Sequence, residues 1–490
     1  MEAMVEEGAL DIRLESPELE MTTLEVRRLT AHESVGETFS FDLQLVHRTG
    51  LAVASKDLLG IDVTIVFSQN GFELRRVGGI VSRVLDRADA AGAFEGAAHH
   101  RTYSVTVVPK LFRMSLVSTQ EVYLDLSLPE IIKKKAELYG FAHEDIDLRL
   151  AEDHAAREFV VQYRETDVAF LSRLCEHVGV SFFFVNEDGH DKVVFTDNEA
   201  GFATKEEAER LPYRSGGAKD GVFELETHRE LVPSLFAMQD YDYRNPLYDL
   251  AASASLELGS GGGYVEYGAH YRSADEGKRL AQVRADEQRA RALRYYGKSD
   301  HVGLSAGARI VVEGHPELGD IELVVIEVAH TASAAESGEG GEYENSFVAV
   351  PAGFTYRPAR KTPRPRIHGF VTGVVQAGQG GSVGGVAHVD DDGRYLVELH
   401  FDSAPKGEAR ASRPIRMAQP YAGPNHGMHF PLRPGAEVLL AFMDGDPDRP
   451  VIIGAVPNAT APSPVNAASA NKNRIVTANG GIVIEMCDGR

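Results

Sequence analysis

Residues 433–459 read RPGAEVLLAFMDGDPDRPVIIGAVPNA, and this stretch decides the fold of the last third of the chain. Two apolar runs flank an aspartate-rich turn at residues 444–448. Gly445 reaches positive φ at no steric cost, and Pro447 fixes its own φ. Arg449-Pro450 restarts the chain in an extended conformation. The stretch therefore predicts a β-hairpin with a tight, rigid, acidic tip.

The length and composition describe a multidomain globular protein. A chain of 490 residues is too long for one hydrophobic core, so three or more domains are expected. The apolar fraction of 43% is ordinary for a globular protein. No run of 18 apolar residues occurs, which predicts no membrane-spanning segment. The first residues lack the basic and apolar regions of a secretory signal.

Charge and cysteine content exclude several functional classes. A net charge of −23 argues against a general nucleic-acid binder, which would carry a basic stripe. Cys175 and Cys487 are the only cysteines, so neither a disulfide framework nor a four-cysteine zinc site can form. A reducing cytoplasm is the simplest compartment for folding and assembly.

The first hundred residues have the pattern of a β-barrel. Apolar residues alternate with polar ones from Phe39 to Leu45, so one face of this strand is expected to be buried. Asn70-Gly71 follows an apolar run and predicts a hairpin turn. Many short strands with regular turns favour a sheet curled into a barrel.

The pattern changes to a helical period between residues 127 and 180. Ser127 and Glu130 have the spacing of a capping box and predict the start of a short helix. A second helix is predicted from near Thr166 to Gly179, with Cys175 on its apolar face. Cys175 is therefore interpreted as a core residue in preference to a thiol nucleophile.

A longer helix is predicted in the second half of the strand-rich region. Ser273 begins it with another capping box, and it runs to about Leu293. Four arginines lie on several sides of this helix: Arg279, Arg284, Arg289 and Arg291. A solvated helix packed on a barrel is favoured over a contact surface for an acidic partner.

Three further segments complete the chain. Residues 361–365 are basic and proline-rich, which predicts a stiff linker. Residues 366–459 contain the opening hairpin and further short strands. From residue 460 the chain turns small and uncharged, and Gly480, Gly481 and Gly489 then separate short strands.

Several of these segments together resemble the valine-glycine repeat protein G (VgrG) family of type VI secretion and the related hub-and-spike proteins of contractile phage tails. The resemblance rests on VQYRETD at 161–167, QDYDYRNP at 239–246 and GDPDRP at 445–450. It implies a mainly β multidomain fold with two hub β-barrels, a small helical insert, an OB-like barrel and the start of a trimeric β-helical needle. The implied domains are hub barrel 1 (1–120), a helical insert (121–185), hub barrel 2 (186–360), the linker (361–365), the OB-like barrel (366–459) and the spike start (460–490).

The resemblance also implies partners. The family forms a homotrimeric hub that seats on a hexameric, Hcp-like tube protein within a baseplate. It carries a PAAR-like tip protein and effectors, and the assembly is ejected through a target membrane by mechanical puncture. The residues expected to shape the hairpin and the needle entrance are Gly435, Gly445, Asp446, Pro447, Arg449, Pro450, Gly480, Gly481 and Gly489. No cofactor and no nucleic-acid partner are expected.

Three groups of residues have a partial likeness to metal or phosphate sites. Asp390-Asp391-Asp392-Gly393 lacks the spacing and the closing glutamate of a calcium loop, so a hairpin tip is favoured. His426 and His429 lie in a loop without an evident third ligand, which disfavours a zinc site. The glycines of 378–385 open no helix and precede no Lys-Ser/Thr pair, which disfavours a phosphate loop. No catalytic residue and no metal ligand are predicted.

Two alternative functions remain open. Some phage tail-tip relatives carry a lysozyme domain, but 460–472 contains no carboxylate and is far shorter than an ordinary domain. OB-like barrels often bind single-stranded nucleic acid, which the acidic net charge disfavours. A structural, non-enzymatic hub of a contractile injection system is the favoured reading.

Overall fold

The computed structural model describes residues 10–47, 53–88, 101–202, 208–214, 221–333, 342–377, 387, 389–404, 412–478 and 481–488. The chain divides into two compact units. The first contains residues 1–117, 132–154 and 167–363, and the second contains residues 118–131, 155–166 and 364–490.

Strands dominate both units. In chain order they are β1 (Leu10–Glu15), β2 (Leu24–Ser34), β3 (Ser40–His47), β4 (Asp62–Gln69), β5 (Phe72–Ala88), β6 (Arg101–Val108), β7 (Ser118–Tyr123), β8 (Ile146–Arg149), β9 (Val160–Thr166), β10 (Ser181–Glu187), β11 (His190–Thr196), β12 (Glu209–Pro212), β13 (Val222–Arg229), β14 (Leu235–Asp240), β15 (Leu250–Ser255), β16 (Gly263–Tyr267), β17 (Leu293–Ser299), β18 (Arg309–His315), β19 (Gly319–Ser333), β20 (Glu342–Pro351), β21 (Val371–Val375), β22 (Val397–Leu399), β23 (Ala422–Gly423), β24 (His426–Gly427), β25 (Glu437–Phe442), β26 (Pro450–Ala455), β27 (Lys472–Val476) and β28 (Val483–Cys487).

Helices are fewer and mostly short. The α-helices are α1 (Ser55–Leu58), α2 (Leu128–Leu138), α3 (Asp167–Val178) and α4 (Ala274–Ala292). Short 3₁₀ segments occupy Lys110–Ser115, His143–Asp145, Glu199–Gly201, Met443–Gly445 and Ala467–Ser469. The predicted mainly β fold is confirmed.

One large sheet organises the first unit. Its strand order among the described residues is β1-β4-β5-β6-β3-β2-β19-β20-β17-β13, with β18 joining β12 to β19. The alternation in β3 is confirmed, because Phe41, Leu43 and Leu45 are buried. The turn between β4 and β5 is also confirmed, with φ of 54° at Asn70 and 80° at Gly71.

Strands from both predicted hub barrels lie in this single sheet. β2 belongs to the region of the first predicted barrel and pairs antiparallel with β19, which belongs to that of the second. The pairing runs from Ser34 opposite Glu327 to Arg28 opposite Ser333. The boundaries of the two barrels and of the helical insert stay predictions.

The predicted helices form close to their expected positions. At the start of α2, the backbone amide and the hydroxyl of Ser127 both donate to Glu130. α3 ends at Val178, and the φ of 78° at the following Gly179 is the left-handed conformation typical of a helix C-terminus. Cys175 is buried, which confirms it as a core residue, and burial raises the pKa of its thiol.

One residue of the long helix, Arg284, departs from the solvated surface predicted for this helix. α4 is capped by Ser273, whose hydroxyl accepts from the amide of Glu276 at 3.2 Å. Leu280 and Val283 are buried, and so is Arg284. Its Nη2 donates to the carbonyls of Glu176 and His177 at the end of α3, at 2.8 Å each. Arg284 therefore caps a neighbouring helix and does not face solvent.

The second unit contains a small four-stranded sheet ordered β22-β21-β25-β26 and a separate β7–β9 pair. The apolar core includes Tyr395, Val438, Leu440 and Ile452, each almost completely buried. Val161 on β9 belongs to the same cluster. The OB-like region therefore shares its core with a strand contributed from much earlier in the chain.

Candidate assembly interface

The hairpin predicted at 433–459 is present in the second unit. β25 and β26 pair antiparallel, with Val438 opposite Ala455 and Phe442 opposite Pro450. The register shifts between Leu439 and Leu440, which marks a bulge. The alternating residues Val438, Leu440 and Phe442 point into the core, as the period of a half-buried strand requires.

The turn of this hairpin depends on two residues in the left-handed region. Asp444 has φ of 54° and Gly445 has φ of 75°. The carbonyl of Gly445 accepts a hydrogen bond from the amide of Ile367 at 2.7 Å. Gly435, with φ of 82°, turns the chain into β25 and donates its amide to the carbonyl of Val375 at 2.9 Å. These contacts connect the start of β25 to the end of β21, and the end of β25 to the residues that precede β21.

The acidic tip is packed within the second unit from Asp446 onward, while Asp444 is exposed. Asp446 and Pro447 are buried, and the carboxylate of Asp446 lies 3.3 Å from Arg364. Oδ1 of Asp448 accepts the backbone amide of Val161 at 2.7 Å. The turn therefore fastens the hairpin to β9 and to the chain entering the barrel.

Arg449 and Pro450 lead from the turn into β26. The amide of Arg449 donates to the carbonyl of Asp446 at 3.0 Å, and Pro450 is the first residue of β26. The sequence predicts that six residues shape this hairpin, and their importance for assembly stays a prediction. They are Gly435, Gly445, Asp446, Pro447, Arg449 and Pro450.

A second hairpin, β27–β28, has a different character. Its strands pair antiparallel from Lys472 opposite Cys487 to Val476 opposite Val483. Glu485 receives ion pairs from Lys472 at 2.9 Å and from Arg474 at 2.6 Å across the pair. Gly481 is exposed near the turn. Gly480 and Gly489 lie outside the described residues.

The β27–β28 hairpin exposes apolar side chains on both of its faces. They are Ile475, Val476, Ile482, Val483, Ile484 and Met486, each between 41% and 61% exposed. An isolated two-stranded hairpin is marginally stable in water, because neither face is covered. Contiguous apolar surface of this kind marks an interaction site on a soluble protein. We call this hairpin the apolar C-terminal hairpin.

The aspartate run at 390–392 forms a hairpin tip, as favoured from the sequence. Val389 bridges Tyr395, and Gly393 has φ of 75°. Oδ1 of Asp390 accepts the amides of Asp392 and Arg394, and its Oδ2 lies 2.7 Å from Arg394 Nε. The carboxylate of Asp390 is thus engaged within its own turn.

The two loop histidines face different partners. His429 contacts the hydroxyl of Tyr395 at 2.8 Å through Nε2 and the amide of Gln419 at 3.0 Å through Nδ1. His426 Nδ1 lies 2.9 Å from the carbonyl of Pro424. Both nitrogens of His429 are therefore used within the protein. The glycines of 378–385 lie outside the described residues.

Among the described residues, no helix has both the length and the apolar character needed to span a bilayer.

Two family profiles match the chain. The profile described as phage tail baseplate hub matches residues 32–336, which is more than half of the chain. The profile described as type VI secretion system/phage-baseplate injector OB domain matches residues 381–456.

Curated relatives are similar along most of this chain. The type VI secretion system spike protein VgrG1b of Pseudomonas aeruginosa is 28% identical over 462 residues, covering 91% of this chain and 60% of the relative. VgrG5 of the same organism is 29% identical and is covered to 55%. The actin cross-linking toxin VgrG1 of Vibrio cholerae is 28% identical and is covered to 42%. The chain therefore spans about two fifths to three fifths of the length of these relatives.

Solved structures share the fold. An Escherichia coli component of the type VI secretion system superposes with a TM-score of 0.66 at 23% identity, covering 91% of this chain and 100% of that one. The Francisella PdpA–VgrG complex, in its half-lidded form, superposes with a TM-score of 0.62 at 10% identity, covering 98% of this chain and 83% of that one.

Proposed function

The chain belongs to the phage tail baseplate hub family, and from this premise we propose that it is the hub-and-spike subunit of a contractile injection system. In this role it works as a homotrimer. Three copies seat on the end of a hexameric tube within a baseplate, and sheath contraction drives the assembly through a target envelope.

The single observation that carries the proposal is the apolar C-terminal hairpin, which follows the OB-like sheet in the second unit. Its apolar side chains on both faces find no cover among the described residues of one chain. Strands from two further copies would bury these side chains and pair the open strand edges, and closed three-fold symmetry allows every copy to do the same.

The mechanism is mechanical and needs no bond-breaking chemistry. A hydrogen-bonded bundle of strands from three copies has no hinge at which to buckle, so axial force passes to its tip. Named relatives of this chain are spike proteins, which supports a structural role. The tube protein, a tip protein and effectors are the partners proposed for this assembly.

Measuring the mass of the full chain in solution tests the proposal. We expect a species near three times 53.3 kDa at micromolar concentration. A stable monomer across this range would overturn the homotrimeric hub. Robust hydrolysis of peptidoglycan by the same sample would point instead to a cell-wall-degrading enzyme.

A further inference from the structure

The three-stranded sheet β15-β14-β16 stands apart from the large sheet of the first unit. β15 runs antiparallel to β14, and β16 runs parallel to it. Its inner face packs on α4, where Met238 and Leu250 share an apolar cluster with Leu280. The helix therefore covers one face of the sheet and leaves the other face outward.

The outward face carries no charged side chain. The register aligns Ser253, Ala237 and Val265 in one row across the three strands, and the neighbouring rows follow from the same pairing. The nine residues of this face are Ser255, Leu235, Gly263, Ser253, Ala237, Val265, Ala251, Gln239 and Tyr267. Val265 is 75% exposed and Tyr267 is 59% exposed. We call these nine residues the uncharged face.

Other exposed strands of the same unit are charged. On the β13–β17 pair, Lys298 lies 2.9 Å from Glu224, and Glu226 is also exposed. On β1, Arg13 pairs with Glu15 at 2.9 Å. Because the chain carries a net charge of −23, two copies repel each other over most of their surfaces. An uncharged surface is where copies of this chain can approach with the least repulsion.

Neither outer strand of the sheet carries a lysine, a proline or a bulge, and the one charged side chain on them, Glu266, is paired with Arg360. Natural edge strands are blocked by lysine, proline or a bulge, which prevents pairing with another chain. β15 reads LAASAS and β16 reads GYVEY, and neither pairing shows a register shift. Among the described residues, both strands pair only with β14.

The β16 edge is held in place by the rest of the first unit. Glu266 forms a two-fold ion pair with Arg360, at 2.7 Å and 2.8 Å. On the same strand, the ring of Tyr264 lies 6.4 Å from that of Phe236 on β14. Pairing with another strand would therefore require little ordering, which lowers the entropic cost of association.

We propose that the uncharged face and its two edges form an interface between copies of this chain, in which β15 of one copy pairs with β16 of the next. The inference rests on the homotrimer proposed above and locates one contact within it. Two unlike edges on one sheet suit head-to-tail association, which closes into a ring under cyclic symmetry. β15 and β16 run in opposite directions, so rotation about an axis near the strand direction brings them together as an antiparallel pair.

Cross-linking of the full chain tests this arrangement. Ser253→Cys and Val265→Cys are made as separate variants in a Cys487→Ser background, where the other thiol, Cys175, is buried, and the two variants are co-expressed so that mixed assemblies form. Keeping the two cysteines on different copies prevents a link within one chain, since Ser253 and Val265 flank Ala237 in the same row. The reagent is a bismaleimide of about 8 Å span, which matches the distance between diagonal neighbours on paired strands. We expect covalently linked dimers from the co-expressed variants and none from either variant alone.

The outcomes separate this inference from the proposed function. Covalent dimers from Val265→Cys alone would show two-fold pairing of β16 and would overturn the inference. A trimer in which the co-expressed variants do not cross-link would also overturn it, while the homotrimer would stand. A monomeric parent chain would overturn both.

A charge on the edge gives an independent measurement. Val265→Lys places an ammonium where strands of two copies would meet, and we expect at least a tenfold rise in the concentration at which the trimer dissociates. Leu138→Lys is the matched control, since Leu138 is 63% exposed at the end of α2. Equal dissociation of both variants would count against the interface.

Discussion

His330 on β19 lies with its Nε2 2.8 Å from Oε1 of Glu33 on β2, so a buried hydrogen bond joins the strands that pair at the centre of the large sheet. Arg75 from β5 reaches the same oxygen and also donates to the carbonyl of Leu304 at 3.0 Å. Burial would raise the pKa of Glu33, but the Arg75 charge and His330 outweigh it and hold the pKa at about 2. Glu33 is therefore an ionised carboxylate inside the protein.

Removing this carboxylate should destabilise the first unit strongly. Glu33→Ala leaves the buried Arg75 guanidinium without its counter-charge, which typically costs about 3–5 kcal/mol. The control is Glu15→Ala, which removes a partly exposed partner of Arg13 and Arg76 and should cost less than about 1 kcal/mol. Urea denaturation of both variants checks the difference, and equal midpoints would contradict it.

The free energy of unfolding should decrease in two separate steps as the pH is lowered. Burial lowers the pKa of His330, so only the unfolded chain binds its proton just below about 6.5, and stability decreases there as the pH falls. The pKa of Glu33 is about 2 in the folded chain against 4.5 for the free side chain, so its contribution is complete above 4.5 and is lost as the pH falls toward 2. Denaturation midpoints are measured from pH 8 to pH 3. The decrease below about pH 6.5 should be missing in His330→Gln, and the decrease below about pH 4.5 should be missing in Glu33→Gln. An unchanged profile in either variant would refute the corresponding assignment.

Two glycines that follow helices should respond differently to alanine. Both have positive φ, 71° at Gly140 after α2 and 78° at Gly179 after α3. A Cβ at Gly140 meets nothing within 4 Å, so Gly140→Ala should cost only the left-handed strain, about 1–2 kcal/mol. A Cβ at Gly179 lies 2.7 Å from Val283 and 2.9 Å from Arg357, so overpacking adds about 1–3 kcal/mol. In thermal unfolding, Gly179→Ala should have a lower melting temperature than Gly140→Ala. The reverse order would contradict the packing argument.

Arg284 and Arg291 lie on the same helix but should contribute different amounts to the stability of the protein. Arg284→Met removes two hydrogen bonds to the last carbonyls of α3, and leaving these buried acceptors unsatisfied costs about 1–3 kcal/mol each. Arg291→Met breaks a largely exposed pair with Glu230 and should cost less than about 1 kcal/mol. If the two variants have the same melting temperature, the capping role of Arg284 is wrong.

Local signals in the sequence predicted the elements well. Asn70-Gly71 fixed a hairpin, because both residues tolerate positive φ, and Ser273 fixed the start of α4 through its hydroxyl. Alternation in β3 identified buried positions correctly. Such signals depend only on a few neighbouring residues, so they can be recognised in the sequence without knowledge of the tertiary structure.

Long-range contacts escaped prediction for the same reason. Nothing around Arg284 reveals that the end of α3 will lie beside it, since the partner carbonyls are more than a hundred residues away. The acidic tip of the hairpin was expected from its composition, yet Asp446 is buried beside Arg364 and Asp448 contacts Val161 on β9. The uncharged face became visible only when the register aligned β14, β15 and β16.

The apolar C-terminal hairpin provides the last prediction, because its side chains should be buried when copies associate. Ile484 is 49% exposed in the single chain and lies opposite Ile475 on the paired strand. Ile484→Asp should leave the fold of one chain intact, since an exposed substitution costs little. It should weaken association, because a carboxylate would be buried without a partner in the assembly.

Leu138→Asp is the matched control, since it places the same charge on an exposed apolar side chain outside this hairpin, at the end of α2. Sedimentation at several concentrations should show Ile484→Asp shifted toward the 53.3 kDa chain, with Leu138→Asp close to the parent protein. If both variants sediment like the parent, then Ile484 lies outside the contact between copies. If both dissociate equally, added charge alone accounts for the effect and the apolar contact is not needed.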